Sequence, residues 1–197
     1  MSNKSSIDSG IAKVLERFGR IDVLVNNAGM NIRKFPQEYV PEEWDAVMDT
    51  NLKGAFLCCQ AVFPAMKQQG KGKIINIGSM TSLYGIGKAL LYACSKAGIL
   101  SMTYSLALAW ARDGINVNCI LPGWIVTPLT TAAQRDLPGL REFVEERTPL
   151  GRWGQPGDMA GAAIFLASDA SDFITGEYLR VDGGWAQHTN TVSFPRP

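Results

Sequence analysis

Four short apolar runs, each followed by a polar or glycine-containing turn, constrain the fold of this chain most strongly. The runs are Ile21–Val25, Lys73–Ile77, Ile115–Leu121 and Gly176–Val181. Their apolar residues stand mostly side by side and are often β-branched, which is typical of strands buried on both faces of a parallel sheet. Because longer stretches with helical periodicity lie between them, the chain is predicted to be an α/β protein with a parallel sheet.

The intervening stretches have apolar residues at close to 3.6-residue spacing. The predicted helices are 7–18, 41–66, 90–110 and 159–167. Segment 129–150 has a weaker and more polar pattern, with Pro138-Gly139 inside it, and is predicted to be a mobile substrate lid. Residues 1–185 are therefore assigned to a single domain, and residues 186–197 to a loose C-terminal tail.

The bulk composition indicates an ordinary globular protein. The 197 residues include 46% hydrophobic and 19% charged residues, with a formal net charge of +1. A nucleic-acid partner and a polybasic membrane anchor are not indicated by that charge. No apolar run approaches the roughly 18 residues of a spanning helix, and the N-terminus lacks the apolar core of a signal peptide. We expect no membrane association and a cytoplasmic location.

The cysteines and the single histidine limit the chemistry that is available. Cys58, Cys59, Cys94 and Cys119 form no Cys-x-x-Cys motif and fall in apolar contexts, which predicts reduced, buried thiols. The only histidine, His188, follows the last predicted strand. We therefore expect no metal site and no Ser-His-Asp triad, so acid–base chemistry has to use another residue type.

Tyr92 and Lys96 are four residues apart at the start of the predicted helix 90–110. Side chains at this spacing lie on one helix face, where an ammonium group favours the phenolate and lowers the pKa of a tyrosine. The pair therefore resembles a proton-transfer device, provided that it faces a pocket. The alternative is a tyrosine at the margin of the core beside a solvated lysine, because this spacing is common by chance.

Two further polar residues stand at informative positions. Asn51 falls on the apolar stripe of predicted helix 41–66, where an unpartnered amide would cost about 1–3 kcal/mol. It indicates either a structural water or local kink, or a functional site. Ser79 follows the strand Lys73–Ile77, and ligands bind beyond the carboxyl ends of parallel strands. A serine at that position is also an ordinary turn residue.

Five pieces occur together in one order along the chain. They are Asn26-Asn27-Ala28-Gly29 after a strand, Asn51 within a helix, Ser79 after a strand, Tyr92-x-x-x-Lys96, and Pro122-Gly123 followed by Thr127. With the closing Val181-Asp182-Gly183-Gly184, this pattern resembles the classical short-chain dehydrogenase/reductase family from about residue 7 to residue 185. The resemblance implies a Rossmann-like doubly wound parallel sheet and hydride transfer between NAD or NADP and a small-molecule carbonyl or secondary alcohol.

The resemblance also implies roles for individual residues. Tyr92 would be the general acid/base, Lys96 would lower its pKa and bind the nicotinamide ribose, and Ser79 would hold the substrate oxygen. Asn51 would anchor a water that links Lys96 to solvent. The residues expected to line the cofactor site, besides Tyr92 and Lys96, are Asn26, Ala28, Gly29, Pro122, Gly123, Ile125 and Thr127.

Some stretches are similar to one group within the family. Gly151-Arg152-Trp153-Gly154-Gln155-Pro156, the Gly78-Ser79-Met80 turn and the ending Asp182-Gly183-Gly184-Trp185 resemble enzymes of the gluconate 5-dehydrogenase and deoxy-keto-gluconate dehydrogenase type. The implied substrate is a sugar acid.

One family feature is missing from the sequence. Members of the family begin with a strand and a Thr-Gly-x-x-x-Gly-x-Gly turn that approaches the cofactor pyrophosphate, and the 197 residues contain no such motif. We expect a domain that lacks the first βαβαβ portion, with Ile21–Val25 as an exposed edge strand prone to association.

Three hypotheses follow from this departure. The sequence belongs to a truncated version of an ordinary dehydrogenase; or it is a non-catalytic protein that acts through oligomerisation; or it is a catalyst that borrows the missing half from a partner. For the second hypothesis, the helices 41–69 and 90–113 correspond to subunit interfaces of the family, which implies a homo-oligomer, either a dimer or a tetramer.

Overall fold

The computed structural model describes residues 3–187, and in it the four predicted strands form one parallel sheet. The strands are β1 (Val23–Asn26), β2 (Gly72–Ile77), β3 (Ile115–Pro122) and β4 (Tyr178–Val181), in the order β1-β2-β3-β4. All three pairings are parallel, with Val25 opposite Ile75, Asn76 opposite Cys119 and Ile120 opposite Leu179. The predicted fold class, an α/β protein with a parallel sheet, is confirmed.

Seven α-helices connect or flank these strands within residues 3–187. They are α1 (Lys4–Phe18), α2 (Pro41–Met48), α3 (Gly54–Gln69), α4 (Leu90–Trp110), α5 (Pro128–Asp136), α6 (Leu140–Arg147) and α7 (Ala160–Ala167). The predicted helix 41–66 is interrupted by a π-helical segment, Asp49–Lys53, between α2 and α3. This segment contains Asn51, and such π-bulges occur frequently at functional sites.

The two faces of the sheet pack against different helices. Ile74 and Val117 lie in a core cluster with residues of α1, α3 and α4, including Met66 and Leu106. The neighbouring strand positions point the other way, as expected for the two-residue repeat of strands, and Ile75 and Ile120 pack against Leu166 of α7 with other residues of that helix. Helices therefore cover both faces, in agreement with a doubly wound arrangement.

Strand β1 is an edge of the described sheet, as predicted from the sequence. It pairs with β2 alone. Val23 and Val25 are 36% and 46% exposed. An open edge with apolar side chains is a template for pairing with another chain.

Segment 129–150 is largely helical in the structure, because it contains most of α5 and all of α6. Thr127 caps α5 with its side chain, and Gly139 begins α6 with a φ of 81°, a left-handed conformation that favours glycine. That this segment acts as a mobile lid remains a prediction. Of the predicted tail 186–197, the first two residues belong to a 3₁₀ helix, Trp185–Gln187, and residues 188–197 lie outside the described residues.

The cysteines differ from the sequence expectation in one respect. All four are free thiols; Cys59 and Cys119 are buried, Cys58 is half-buried and Cys94 is exposed. Cys94 was expected to be buried, but it lies on the outer face of α4. No group of histidine, cysteine or acidic side chains among residues 3–187 could hold a metal ion, and none of the helices there is long and apolar enough to cross a membrane.

Candidate active site

Three of the four predicted catalytic residues, Ser79, Tyr92 and Lys96, line one cleft at the carboxyl ends of the strands. Ser79 follows β2, and it begins a short 3₁₀ helix, Met80–Ser82, by accepting a hydrogen bond from the backbone N–H of Thr81 at 3.1 Å. Tyr92 and Lys96 lie in the first two turns of α4, and both line the same cleft as Ser79. The helical spacing and the strand-end rule therefore bring together residues from distant parts of the chain.

The direction of the pKa shift at Tyr92 differs from the sequence expectation. Burial raises the pKa of the Tyr92 phenol, and this effect exceeds the opposing effects of a hydrogen bond with Ser79 and of the positive charge of Arg33. The ammonium of Lys96 lies 5.7 Å from the centroid of the Tyr92 ring. The prediction that Lys96 lowers the pKa of Tyr92 is therefore wrong for this structure, because desolvation of the phenol dominates.

Lys96 is buried and has an unusual environment for a lysine. Its side chain is almost completely removed from solvent, and its Nζ donates a 2.7 Å hydrogen bond to the carbonyl oxygen of Ile77. Burial lowers the pKa of Lys96 to about 8. The group is still mostly protonated at neutral pH, but it is close to the range in which it can exchange a proton.

Asn51 is held by three hydrogen bonds, which explains an amide on an apolar stripe. Its Oδ1 accepts from the backbone N–H of Met30 at 2.8 Å, and its Nδ2 donates to the Met30 carbonyl and to Ser95 Oγ, both at 2.9 Å. Ser95 in turn donates to the carbonyl of Tyr92. Asn51 therefore fixes the loop after β1 against the helix that carries Tyr92. Its role in a proton relay with Lys96 remains a prediction.

The cleft that contains Lys96 is called the inner cleft, and its volume is about 420 Å³. It is lined by most of the residues predicted for the cofactor site, namely Gly29, Tyr92, Lys96, Pro122, Gly123, Ile125 and Thr127, and also by Ser79 and Asn27. At Gly123 a side chain would be excluded, since a Cβ there would lie 2.7 Å from the Asp182 Cα. Close packing against Asp182 therefore explains why the Pro122-Gly123 turn contains a glycine.

Asn26, Ala28 and Asn51 are not among the lining residues. Asn26 turns its side chain towards β2, where its Nδ2 donates to Asn76 Oδ1 at 2.9 Å, so it ties two strand ends together. Ala28 is exposed on the loop between Asn27 and Gly29. Asn51 lies behind Gly29, because a Cβ at that glycine would be 3.6 Å from Asn51 Oδ1 and 3.5 Å from Lys96 Nζ. The direct cofactor contacts predicted for Asn26 and Ala28 stay predictions.

A second cleft, called the outer cleft, adjoins the first. Its volume is about 140 Å³, and it shares Ser79, Tyr92, Pro122, Gly123, Leu129 and Thr130 with the inner cleft. Its remaining wall includes two basic side chains, Arg33 and Lys88, and two polar ones, the half-buried Asn31 and the buried Thr81. Ser79 and Tyr92 therefore line both clefts.

The sequence analysis did not identify Arg33, Lys88, Asn31 and Thr81. They lie within loops or short 3₁₀ turns that follow β1 and β2 or precede α4. The signal that could have found them is their position, since loops at the carboxyl ends of parallel strands carry binding residues in such sheets.

Comparisons with known proteins match almost the whole chain. A family model described as enoyl-(acyl carrier protein) reductase matches residues 1–186. The chain is 42% identical over 186 residues to 2-dehydro-3-deoxy-D-gluconate 5-dehydrogenase of Dickeya dadantii, covering 94% of this chain and 73% of the relative. It is 41% identical over 184 residues to a 3-oxoacyl-[acyl-carrier-protein] reductase of Thermotoga maritima, covering 93% and 74%.

A solved structure gives the same result at the level of the fold. The crystal structure of a gluconate 5-dehydrogenase from Burkholderia cenocepacia, in complex with NADP and tartrate, superimposes with a TM-score of 0.91 and 40% sequence identity. The match covers 95% of this chain and 73% of that one.

Proposed function

Because this chain belongs to the short-chain dehydrogenase/reductase family of oxidoreductases, we propose that it transfers a hydride between NAD or NADP and a carbonyl or secondary alcohol of a sugar acid. The single observation that carries the proposal is the position of Ser79 and Tyr92, whose side chains line the inner and the outer cleft at once. A substrate oxygen bound between Ser79 and Tyr92 would have the cofactor in the inner cleft on one side and the rest of the substrate in the outer cleft on the other.

The residues of the inner cleft fit the nicotinamide end of such a cofactor. A cleft of about 420 Å³ falls within the range of small-molecule sites, about 300–1,000 Å³. The buried ammonium of Lys96 supplies hydrogen-bond donors for ribose hydroxyls, and Ile125 and Thr127 supply an apolar and a polar wall. When bound, the cofactor supplies or accepts the hydride.

The chain's own residues would hold the substrate oxygen and move the proton. Because burial raises the pKa of Tyr92, its phenol is protonated at neutral pH and can donate to a carbonyl oxygen that is being reduced. Ser79 is oriented by its bond from the Thr81 N–H and can donate its own hydroxyl proton to the same oxygen. Lys96, with a pKa of about 8, can pass a proton towards Tyr92 afterwards.

The preference for a sugar acid is supported by the charge of the outer cleft. Arg33 and Lys88 both line it, and its lining contains no acidic side chain among the described residues. A guanidinium group can bind a carboxylate with two parallel hydrogen bonds. The relatives named for gluconate and deoxy-gluconate substrates point in the same direction.

The test starts with cofactor binding. NADH and NAD, and then the phosphorylated pair, are titrated into the purified chain by fluorescence or calorimetry, and hydride transfer to a panel of sugar acids is followed by absorbance. The same assay is run on a chimera in which a glycine-rich βαβαβ segment from a relative precedes the chain. We expect weak binding by the chain alone and turnover by the chimera. Absence of turnover in a folded, cofactor-binding chimera contradicts the proposal.

A second candidate function is association without catalysis, favoured by the open edge of β1 with its exposed Val23 and Val25. Apolar side chains are also exposed on the helices: Phe56 on α3 is 41% exposed, and Leu108 on α4 is 86% exposed. We propose a homo-oligomer on this basis. Sedimentation of the wild type and of Leu108→Lys tests it, and a monomeric wild type at high concentration contradicts it.

A further inference from the structure

We propose that Trp185 is a positioning residue for the outer cleft: its indole holds Tyr84, a residue of the cleft wall, and thereby keeps that wall in one arrangement. The inference rests on the proposed function where it takes the occupant of the outer cleft to be the substrate. It extends that function by giving a role to a residue that is not among those lining either cleft.

The first observation is a side-chain hydrogen bond between two loops that are far apart in the sequence. Trp185 Nε1 donates to the Tyr84 hydroxyl at 2.6 Å, across 101 residues. Tyr84 follows the 3₁₀ helix Met80–Ser82 after β2, whereas Trp185 follows β4. Because an indole N–H can only donate, the Tyr84 oxygen has to accept, which also restricts the direction of its own proton. The bond therefore fixes the orientation of the Tyr84 hydroxyl group.

The second observation is that Tyr84 lies in a cleft wall on a loosely packed loop. It lines the outer cleft with Ser79 and Tyr92, and it is 37% exposed. Residues 83–89 form neither helix nor strand. The loop contains Gly85 and Gly87, and a Cβ added at either glycine would meet nothing within 4 Å. Little in the loop itself therefore holds Tyr84 in place, and the bond from the indole supplies a fixed point.

The third observation is that Trp185 is itself firmly held. It is 6% exposed, and its ring packs edge-on against Trp124 and Phe143, with ring centroids 5.9 and 6.0 Å apart. The guanidinium carbon of Arg147 lies 4.7 Å from the centroid of the same ring. The Asp182 carboxylate accepts hydrogen bonds from the backbone N–H groups on both sides of Trp185, at 3.0 and 2.9 Å. A rigid anchor is thus joined to a residue of a loose loop.

The energetic consequence concerns ligand binding rather than the chemical step. Without the anchor, Tyr84 would have to be ordered each time a ligand enters the outer cleft, and ordering a side chain on binding weakens affinity by about 2- to 10-fold. The bond does not involve Ser79 or Tyr92 directly. A loss of uniform binding raises KM and leaves kcat unchanged. We therefore expect the effect of Trp185 to appear in affinity.

NMR of the chain with ¹³C-labelled tyrosine rings tests the positioning without any ligand. The chain contains five tyrosines, and Tyr84→Phe and Tyr92→Phe identify the two signals of interest. In Trp185→Phe, which keeps an aromatic ring but has no N–H group, we expect the Tyr84 ring to become mobile, with a lower order parameter. The Tyr92 signal should stay as in the wild type. A general loosening of the protein would instead change both rings.

Trp153→Phe is the matched control. Trp153 is also buried and packs edge-on against Trp124, but its Nε1 donates to the backbone carbonyl of Arg141 at 3.2 Å. The same loss of an indole N–H at this position should leave the Tyr84 ring unchanged. The proposal is overturned by a Tyr84 ring that is equally rigid in the wild type and in Trp185→Phe, or that is loosened equally by the control.

Binding of a sugar acid links the anchor to the outer cleft. D-gluconate is titrated into the wild type, Trp185→Phe, Tyr84→Phe and the double variant by ligand-observed NMR. We expect each single variant to bind about 2- to 10-fold more weakly, and the double variant to bind no more weakly than the weaker single one, because both substitutions remove the same bond. Unchanged affinity in Trp185→Phe, or additive losses in the double variant, overturns the proposal.

The outcomes separate the positioning role from the enzymatic function. Wild-type protein that does not bind gluconate contradicts the proposed substrate class, and the Tyr84 ring signal then decides the positioning by itself. In a chimera that turns over, Trp185→Phe should raise KM by about 2- to 10-fold and change kcat by less than about twofold. A fall in kcat at unchanged KM overturns the inference. A chimera without turnover whose Tyr84 ring is loosened by Trp185→Phe supports the positioning and contradicts the proposed function.

Discussion

A buried lysine lies at each end of strand β2: Lys73 belongs to the strand, whereas Lys96 reaches its carboxyl end from α4. At the amino end, Lys73 has 3% of its side chain exposed and pairs with Asp172, with a distance of 2.7 Å between Nζ and Oδ1. At the carboxyl end, Lys96 is equally buried, but among residues 3–187 it has no acidic partner and bonds to the carbonyl of Ile77 instead. One cation is neutralised and the other is not.

This difference separates a structural role from a chemical one. A buried charge with a counter-ion is tolerated as part of the fold, whereas one without it lowers stability and is retained mainly where the charge is used. The pKa of Lys96, lowered to about 8 by burial, reflects that cost. The carboxyl end of the sheet is therefore the end at which we propose proton transfer.

Replacing the proposed acid at the carboxyl end should have the largest effect. In a form of the protein that turns over, Tyr92→Phe should lower kcat by 10²–10⁴-fold, because the phenyl ring cannot donate a proton. Tyr104→Phe, which alters an exposed tyrosine on the same helix, is the control and should keep its activity. Near-normal turnover of Tyr92→Phe would contradict the proposal that acid/base chemistry takes place at the carboxyl end of the sheet.

The amide that joins the loop after β1 to α4 should matter more for stability than either lysine. Asn51→Leu removes three hydrogen bonds and leaves the Met30 backbone without partners. We expect unfolding in denaturant to show a loss of about 2–5 kcal/mol. Ser105→Ala, which removes an exposed hydroxyl on α4, should change stability by less than about 0.5 kcal/mol. Equal effects of the two substitutions would contradict the positioning role of Asn51.

Replacing Lys96, the buried lysine without an acidic partner among the described residues, should stabilise the protein and remove the proposed proton transfer by this residue. The folded pKa of Lys96, about 8, lies below its ordinary value of 10.5, so the unfolded chain binds more protons between these pH values. Wild-type stability therefore rises with pH across that window. Lys96→Met should be more stable by roughly 2 kcal/mol at pH 7, and the gain should shrink as pH rises from 8 to 10.5.

That pattern is measured by urea unfolding at a series of pH values. A Lys96→Met variant that is less stable than the wild type at pH 7 would show that the bond to the Ile77 carbonyl outweighs the cost of burying the charge. The contrast between the two lysines would then be lost.

The paired lysine should show a smaller effect of the opposite sign. Lys73 lowers the pKa of Asp172 below 3.8, mainly through their hydrogen bond. A carboxylate with a depressed folded pKa stabilises the protein above its unfolded pKa, and this contribution is lost as pH falls through the folded value. Lys73→Met should therefore destabilise the protein at neutral pH, and the difference from the wild type should fade in acid. A stabilised Lys73→Met at pH 7 contradicts this.

Much of the fold could be predicted from the sequence, because the buried face of a strand or helix requires apolar residues at a regular spacing along the chain. The strand between Ile74 and Ile77 and the helix from Leu90 to Trp110 lie where the periodicity places them. The carboxyl ends of parallel strands lie at one edge of a sheet, and ligands bind beyond that edge. The motifs between Asn27 and Thr127 that follow these strands therefore predicted a cleft there.

Tertiary packing decided what each polar group in that cleft does. Tyr92 has a raised rather than a lowered pKa, because burial of the phenol is a property of the surroundings and not of its spacing from Lys96. Asn26 bonds to Asn76, 50 residues away in sequence. Asn31 and Thr81 became visible only as buried oxygens without partners.

The sequence by itself thus determined the parallel sheet and the order of the residues that are proposed to carry the chemistry. The tertiary structure decided which of these residues face the clefts, which bind one another and which lysine has a counter-ion. The physical reason is that periodic patterns report burial one residue at a time, whereas hydrogen bonding and desolvation depend on groups that only folding brings together.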